Sequence, residues 1–250
     1  MLKAILFDLD DTLLDWSGFS GEWPSLESVY LQRVYDLALQ QGAVLEPFQR
    51  FYEAFRENTA DGWREGRIHL GAPNLGTILV TSIEAVGAPA GLLSERDCLE
   101  AYQWRAVPGT RLFPEVREQL ALLRERGLKM AIVTNAFQPM WIRDVEIEEH
   151  GLLEFFPDCR ISAADVGYLK PHPAIFQAAL DQLGVKPSEA VFVGDNPAAD
   201  IAGAKGVGMQ AVFRVTHSVI LSEMIQPDAA IHSLEELPAV LDRLQPGWRG

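Results

Sequence analysis

The chain predicts an α/β protein: a three-layer, Rossmann-like core with a parallel sheet, carrying an inserted all-α helical cap. Three observations lead there. The chain opens on a short apolar run, Ala4-Ile5-Leu6-Phe7, that ends in acids. After Val107-Pro108-Gly109, short continuous apolar runs alternate with amphipathic stretches. That is the pattern of parallel strands covered on both faces by helices. Between the two lies a long stretch with helical periodicity and no convincing strand. The opening strand needs partners, and only the later sheet supplies them. The core is therefore split, residues 1–14 and 108–250, and residues 15–107 form the cap.

Taken in order, Lys3 to Leu9 reads as a buried strand, followed by a glycine-spotted loop from Trp16 to Gly21. Ser25 is placed to cap a helix running to about Gln41, with Leu26, Val29, Tyr30, Val34, Leu37 and Ala38 on its apolar face. Phe48 to Asn58, Leu75 to Val86 and Ser94 to Trp104 are further helices. Ser94 with Asp97 three residues on is a capping-box pattern. In the second part, helices are expected at Pro114–Arg126, Met140–His150, Pro173–Leu183, Ala198–Lys205 and Leu234–Leu244. The strands between them are Met130–Thr134, Arg160–Ser162, Ala190–Gly194, Met209–Phe213 and Ala229–Ile231.

Composition narrows the function. A formal net charge of -14 over 250 residues argues against a nucleic-acid polymer or an anionic membrane surface as partner. A small phosphorylated metabolite stays compatible, because a local cation or metal ion can overcome the global field. Cys98 and Cys159 have neither CxxC nor metal-ligand spacing and read as free thiols of a reducing, cytoplasmic setting. The early apolar run is broken by Asp8, unlike a signal peptide. The apolar region from Leu75 to Leu93 is broken by Glu84, Gly87, Pro89 and Gly91, unlike a membrane span.

The chemistry lies at the strand ends, where α/β folds bind ligands. Asp8 and Asp10 are two residues apart in an extended segment, so they point to one side. Ionised carboxylates are costly to desolvate without a partner. Such a pair invites a divalent cation and supplies a nucleophile beside a proton donor. Other strand ends or loops carry Thr134-Asn135, Lys170-Pro171, and Asp195 with Asp200 five residues on. Singly each has an ordinary reading: a β-favouring threonine, a loop lysine, a turn former, a helix-start acid. Jointly, in this order, they form a composite site.

Phe7-Asp8-Leu9-Asp10-Asp11-Thr12-Leu13, Thr134-Asn135, Lys170-Pro171 and Gly194-Asp195-x-x-x-x-Asp200 resemble, in order, the four signature motifs of the haloacid dehalogenase superfamily. The resemblance covers residues 1–14 and 108–245. The inserted helices resemble that family's first-class cap, since the gap from Ala136 to Leu169 is too short for the second class. The resemblance implies a phosphomonoester hydrolase acting on a small phosphorylated metabolite through an aspartyl-phosphate. Asp8 is then the nucleophile, and Asp10 the group that protonates the leaving alkoxide and later activates water. Mg²⁺ is held by the carboxylates of Asp8 and Asp195 and the main-chain carbonyl of Asp10. Thr134 and Asn135 bind the phosphoryl oxygens. Lys170 neutralises equatorial charge and keeps Asp8 ionised, while Asp200 orients Lys170 or a metal-bound water. Ala199 departs from the family pattern, which has Asn there. Asp10 favours phosphoryl chemistry over dehalogenation, because halide departs without a proton. A phosphomutase and a non-catalytic phosphate-binding module are the alternatives. In the cap, Trp16, Phe19, Trp23 and the Trp63–His69 cluster, with Arg64, Arg67 and His69, are candidate substrate contacts. Their ordinary reading is packing and surface ion pairing. His172 and His217 read as loop residues.

Overall fold

In a computed structural model, which describes residues 1–216 and 225–249, the opening strand β1 (Ala4–Phe7) lies at the centre of a six-stranded parallel sheet. All four of its residues are buried, as befits a strand paired on both edges. On one edge Ile5 lies opposite Met130 and on the other opposite Val191. Side chains alternate between two layers. Ile5 and Phe7 face one apolar cluster, Ala4 and Leu6 the other.

The remaining elements follow in chain order. A short β2 (Leu14–Asp15) leads into four helices: α1 (Trp23–Gln40), α2 (Phe48–His69), α3 (Leu75–Ala85) and α4 (Glu95–Tyr102). The chain returns through β3 (Arg111–Leu112), antiparallel to β2, and enters α5 (Val116–Glu125). Then come β4 (Lys129–Thr134), α6 (Met140–Glu149), β5 (Cys159–Ser162), α7 (Ala163–Val166) and α8 (Pro173–Leu183). The chain ends with β6 (Ala190–Gly194), α9 (Ala202–Gly206), β7 (Gln210–Arg214), β8 (Ala229–Ile231) and α10 (Leu237–Leu244). Sheet order is β5-β4-β1-β6-β7-β8. Leu120 of α5 and Val240 and Leu241 of α10 pack in the Ile5 layer. Phe176, Ala179 and Leu180 of α8 pack in the Leu6 layer. The three layers are thus helix, sheet, helix.

The four inserted helices have their own core, including Leu31 and Val34 of α1, Phe51 and Phe55 of α2, Leu79 of α3 and Leu99 of α4. Three expectations change here. Val29, expected on the apolar face of α1, is 50% exposed. The N-cap of α1 is Glu22, not Ser25, because Pro24 in the first turn already carries helical φ. Helix α2 runs on past Asn58 to His69, since Gly62 is a packing glycine whose missing Cβ leaves room for Pro73. Ser94 does cap α4, with the reciprocal Asp97 bond. The helix expected at Ala198 begins as a π-helical turn, Pro197–Ile201, capped by the Asn196 side chain.

The ribbon β2–β3 joins the cap to the core, and beside it the two linkers touch at Gly18 and Gly109. A Cβ on either would overlap the other's carbonyl oxygen, and Gly109 has φ of +92°. On the far side, the loop after α2 meets the loop before Lys170. The Leu169 N–H donates to the Leu70 carbonyl at 2.8 Å and the Ala72 N–H to the Gly167 carbonyl at 3.0 Å. The Leu75 N–H also reaches the Phe137 carbonyl at 2.8 Å. No described helix is long and apolar enough to cross a membrane. His217 lies outside the described residues.

Candidate active site

The carboxyl ends of β1, β4 and β6 converge on a pocket of about 150 Å³. Asp8, Asp10, Thr134, Asn135, Lys170, Asp195, Asn196, Ala199 and Asp200 line it. Every residue singled out at the strand ends therefore faces one cavity, although the chain separates Asp8 from Lys170 by the whole cap. Directly after β1 the chain turns tightly, with the Leu13 N–H donating to the Leu9 carbonyl at 2.8 Å and Asp11 at φ 58°. Aspartate tolerates that left-handed conformation better than most residues.

Lys170 is the electrostatic centre. Its ammonium lies 2.6 Å from Asp8 Oδ1 and 2.8 Å from Asp200 Oδ1, and it donates to the Val133 carbonyl at 2.8 Å. The side chain is 2% exposed. Its loop is fixed by Asn135, whose side chain accepts from the Lys170 N–H at 2.7 Å and donates to the Lys170 carbonyl at 3.1 Å. Asp200 is held in turn by the Asn196 N–H at 2.9 Å. Gly194 makes this possible, since a Cβ there would overlap Asp200 Oδ2.

Burial dominates the titration of these acids. It pushes the Asp8 carboxyl up, to about 8, against the pull of Lys170, with Asp200 and Asp10 adding repulsion. Burial also lifts Asp195 to about 6, helped by the charges of Asp200 and Asp11. Burial works to lower the Lys170 ammonium, yet Asp200 and Asp8 outweigh it and hold it above its usual range. Asp8, Asp195 and Asp200 each offer a carboxylate oxygen, all within 4.8 Å of one another. The expected metal set had the Asp10 main-chain carbonyl in place of Asp200. By charge count, three acids share one lysine, and hard oxygen donors in excess of cation suit a divalent ion.

Asp10 has a separate environment. Arg143 Nη2 lies 3.0 Å from Asp10 Oδ1 and 2.9 Å from Oδ2, and the Trp16 indole donates to Oδ1 at 3.0 Å. Arg143 Nη1 pairs with Glu146 at 3.2 Å, and Glu146 accepts the Trp104 indole at 2.9 Å. Sequence reasoning missed Arg143, Glu146 and Trp104. Arg143 and Glu146 are spaced as an ordinary surface i, i+3 pair, and nothing local marks them as buried.

The cap cationic cluster lies elsewhere. Arg64 pairs with Asp61 at 2.6 Å and His69 with Glu65 at 3.7 Å, all exposed, and neither these nor Arg67 lines the pocket. Trp63 packs against Phe137, with ring centroids 6.0 Å apart. Trp16, Phe19 and Trp23 form an aromatic cluster at the hinge. His172 caps α8, its Nδ1 accepting the Ala174 N–H at 3.2 Å. Cys98 and Cys159 are buried free thiols.

Residues 2–208 match the family model of the haloacid dehalogenase-like hydrolases. This chain belongs to that family. It is 33% identical over 232 residues to a phosphoserine phosphatase of Thermus thermophilus, covering 85% of this chain and 88% of the relative. Among solved structures it resembles a 2-haloacid dehalogenase from Pseudomonas syringae, with TM-score 0.66 and 28% identity over 97% of this chain and 99% of that one. A HAD phosphatase from Thermococcus onnurineus gives TM-score 0.63 and 29% identity, covering 96% and 98%. Within the family the chain is an enzyme of the phosphatase branch.

Proposed function

We propose that the protein hydrolyses a small phosphorylated metabolite, through a phosphoryl group carried transiently on Asp8. The observation that carries this reading is Asp8 itself. It is a nearly buried carboxylate, 7% exposed, with Lys170 at 2.6 Å and a second acid, Asp10, in the same pocket. A nucleophile beside a proton donor is what two-step phosphoryl transfer needs. Residues 1–14 and 108–250 form the catalytic core and residues 15–107 the cap. The buried thiols fit a reducing cytoplasm.

Each residue then has a task. An Asp8 oxygen attacks phosphorus, and the ester oxygen leaves with a proton from Asp10. Asp10, now ionised, takes a proton from the water that attacks the acyl phosphate, which returns Asp8. Lys170 holds the attacking carboxylate in place and offsets charge on the equatorial oxygens. Thr134, at the end of β4 and 1% exposed, offers its hydroxyl to those oxygens. Asp200 keeps Lys170 aimed. The carboxylates of Asp8 and Asp195 and the main-chain carbonyl of Asp10 would hold Mg²⁺, with Asp200 close by. Bound there, the ion shields phosphate charge from the approaching carboxylate.

The similarity to a dehalogenase structure supports a second reading, displacement of halide from a 2-haloacid. Asp10 argues against it, because a halide leaves without a proton. The test sets p-nitrophenyl phosphate, phosphoserine and other small phosphate esters against 2-chloropropionate, each with and without Mg²⁺. Mg²⁺-dependent phosphate release is expected. Chloride release without phosphate release would replace the phosphatase reading.

A further inference from the structure

Asp8 and Asp10 face one pocket, and each has its own buried cation. Lys170 serves Asp8, and Arg143 of α6 serves Asp10. We infer that Arg143 is the positioning residue of Asp10 and that it ties the acid–base carboxylate to the segment that leaves the cap. This rests on Asp10 acting as the acid and base of phosphoryl transfer.

The geometry is a continuous polar path from the pocket to the cap. One guanidinium nitrogen, Nη2, bridges both Asp10 oxygens, at 3.0 and 2.9 Å. The other, Nη1, lies 3.2 Å from Glu146, which accepts the Trp104 indole N–H at 2.9 Å. The guanidinium carbon is 5.9 Å from the Trp104 ring centroid. The Arg143 side chain is 4% exposed and that of Glu146 0%. Desolvating a guanidinium and a carboxylate is costly, and apolar residues would fill the same space at no such cost. A plain structural pair would end at Glu146, whereas this one continues to a pocket acid.

The path also spans the hinge. Trp16 belongs to the linker that enters the cap and bonds Asp10 directly, at 3.0 Å. Trp104 belongs to the segment that leaves the cap and reaches Asp10 through Glu146 and Arg143. A cap displacement that moves either indole loosens Asp10. Holding the carboxylate matters because proton transfer requires hydrogen-bond reach to the leaving oxygen and then to water.

The test compares kcat/KM for phenyl phosphate, whose leaving group needs a proton, with p-nitrophenyl phosphate, whose leaving group hardly does. Asp10→Asn should slow phenyl phosphate by about 10²–10⁴-fold and p-nitrophenyl phosphate far less. Arg143→Met should shift the same ratio by about tenfold or more, in the same direction. Asp10→Asn with Arg143→Met together should be no slower than Asp10→Asn alone, since residues acting as a unit are not additive. Arg143→Lys keeps a cation for Asp10 but loses the second nitrogen that reaches Glu146, so it should restore the ratio in part. Equal losses on both esters in folded Arg143→Met, or multiplying losses in the double variant, would overturn the assignment. Should Arg143→Met not fold, Trp104→Phe and Glu146→Gln take its place, and a ratio unchanged in both overturns it. If Asp10→Asn itself left the ratio unchanged, the acid–base reading of Asp10 would fail instead.

Discussion

Replacing Asp195 by Asn should stabilise the metal-free protein and weaken its response to Mg²⁺. The Asp195 carboxyl is lifted from its ordinary 3.8 to about 6, first by burial and then by Asp200 and Asp11. The sign follows from linkage. The folded state binds this proton more tightly than the unfolded chain does. The stability it lends is therefore fully present below about pH 4, and it is lost as pH rises through about 6. The gap corresponds to roughly 3 kcal/mol, and solvent screening of a half-buried group reduces this to roughly 1–2 kcal/mol. Asparagine does not ionise, so at pH 7.5 in a chelator the variant should melt about 2–8 °C higher than the parent. With Mg²⁺ at a hundred times its dissociation constant, the parent should gain about 2.7 kcal/mol and overtake the variant, which has lost a ligand. Thermal melts of both proteins, in chelator and in Mg²⁺, read the two orders. A variant less stable than the parent in both conditions would show instead that Asp195 supports the fold rather than awaiting a cation.

Three further outcomes follow from the same geometry. Lys170→Met leaves the Asp8 and Asp200 carboxylates buried without their shared cation, and should cost about 3–5 kcal/mol in urea unfolding of the metal-free protein, along with activity. Gly194→Ala puts a Cβ into Asp200 Oδ2, so phosphatase assays should show a large loss while unfolding shows only about 1–3 kcal/mol. Cys98 and Cys159 are buried, and burial pushes both thiols up to about 12, so the native protein should resist a thiol reagent that labels both after denaturation.

The strand ends were legible because apolar runs ending in acid or hydroxyl are rare and local. Asp8, Thr134, Lys170 and Asp195 are marked in the sequence itself, and so is the order in which their strands and loops occur. What the sequence hid was tertiary. Arg143 sits in Trp141-Ile142-Arg143-Asp144, a stretch whose charges read as a solvated helix face, and only packing against Asp10 sets it apart. Helix α2 runs past the expected end at Asn58, and within that continuation Gly62 lacks the Cβ that would crowd Pro73. Arg64 and Arg67 drew attention as cations in an acidic chain, and the continuation of α2 carries them to the surface. Asp200 looked like a helix-start acid, and its contact with Lys170 depends on a missing side chain at Gly194.

Asp8 is proposed to carry the phosphoryl group during turnover. Acid quench during turnover of p-nitrophenyl phosphate with Mg²⁺, followed by peptide mass mapping, tests it directly. One phosphoryl group is expected on the peptide holding Asp8, released by hydroxylamine as an acyl phosphate is. Asp8→Asn should form no such adduct and lose at least about 10⁴-fold in rate while keeping its fold. Turnover with no adduct on that peptide, together with near-parental activity in Asp8→Asn, would contradict it.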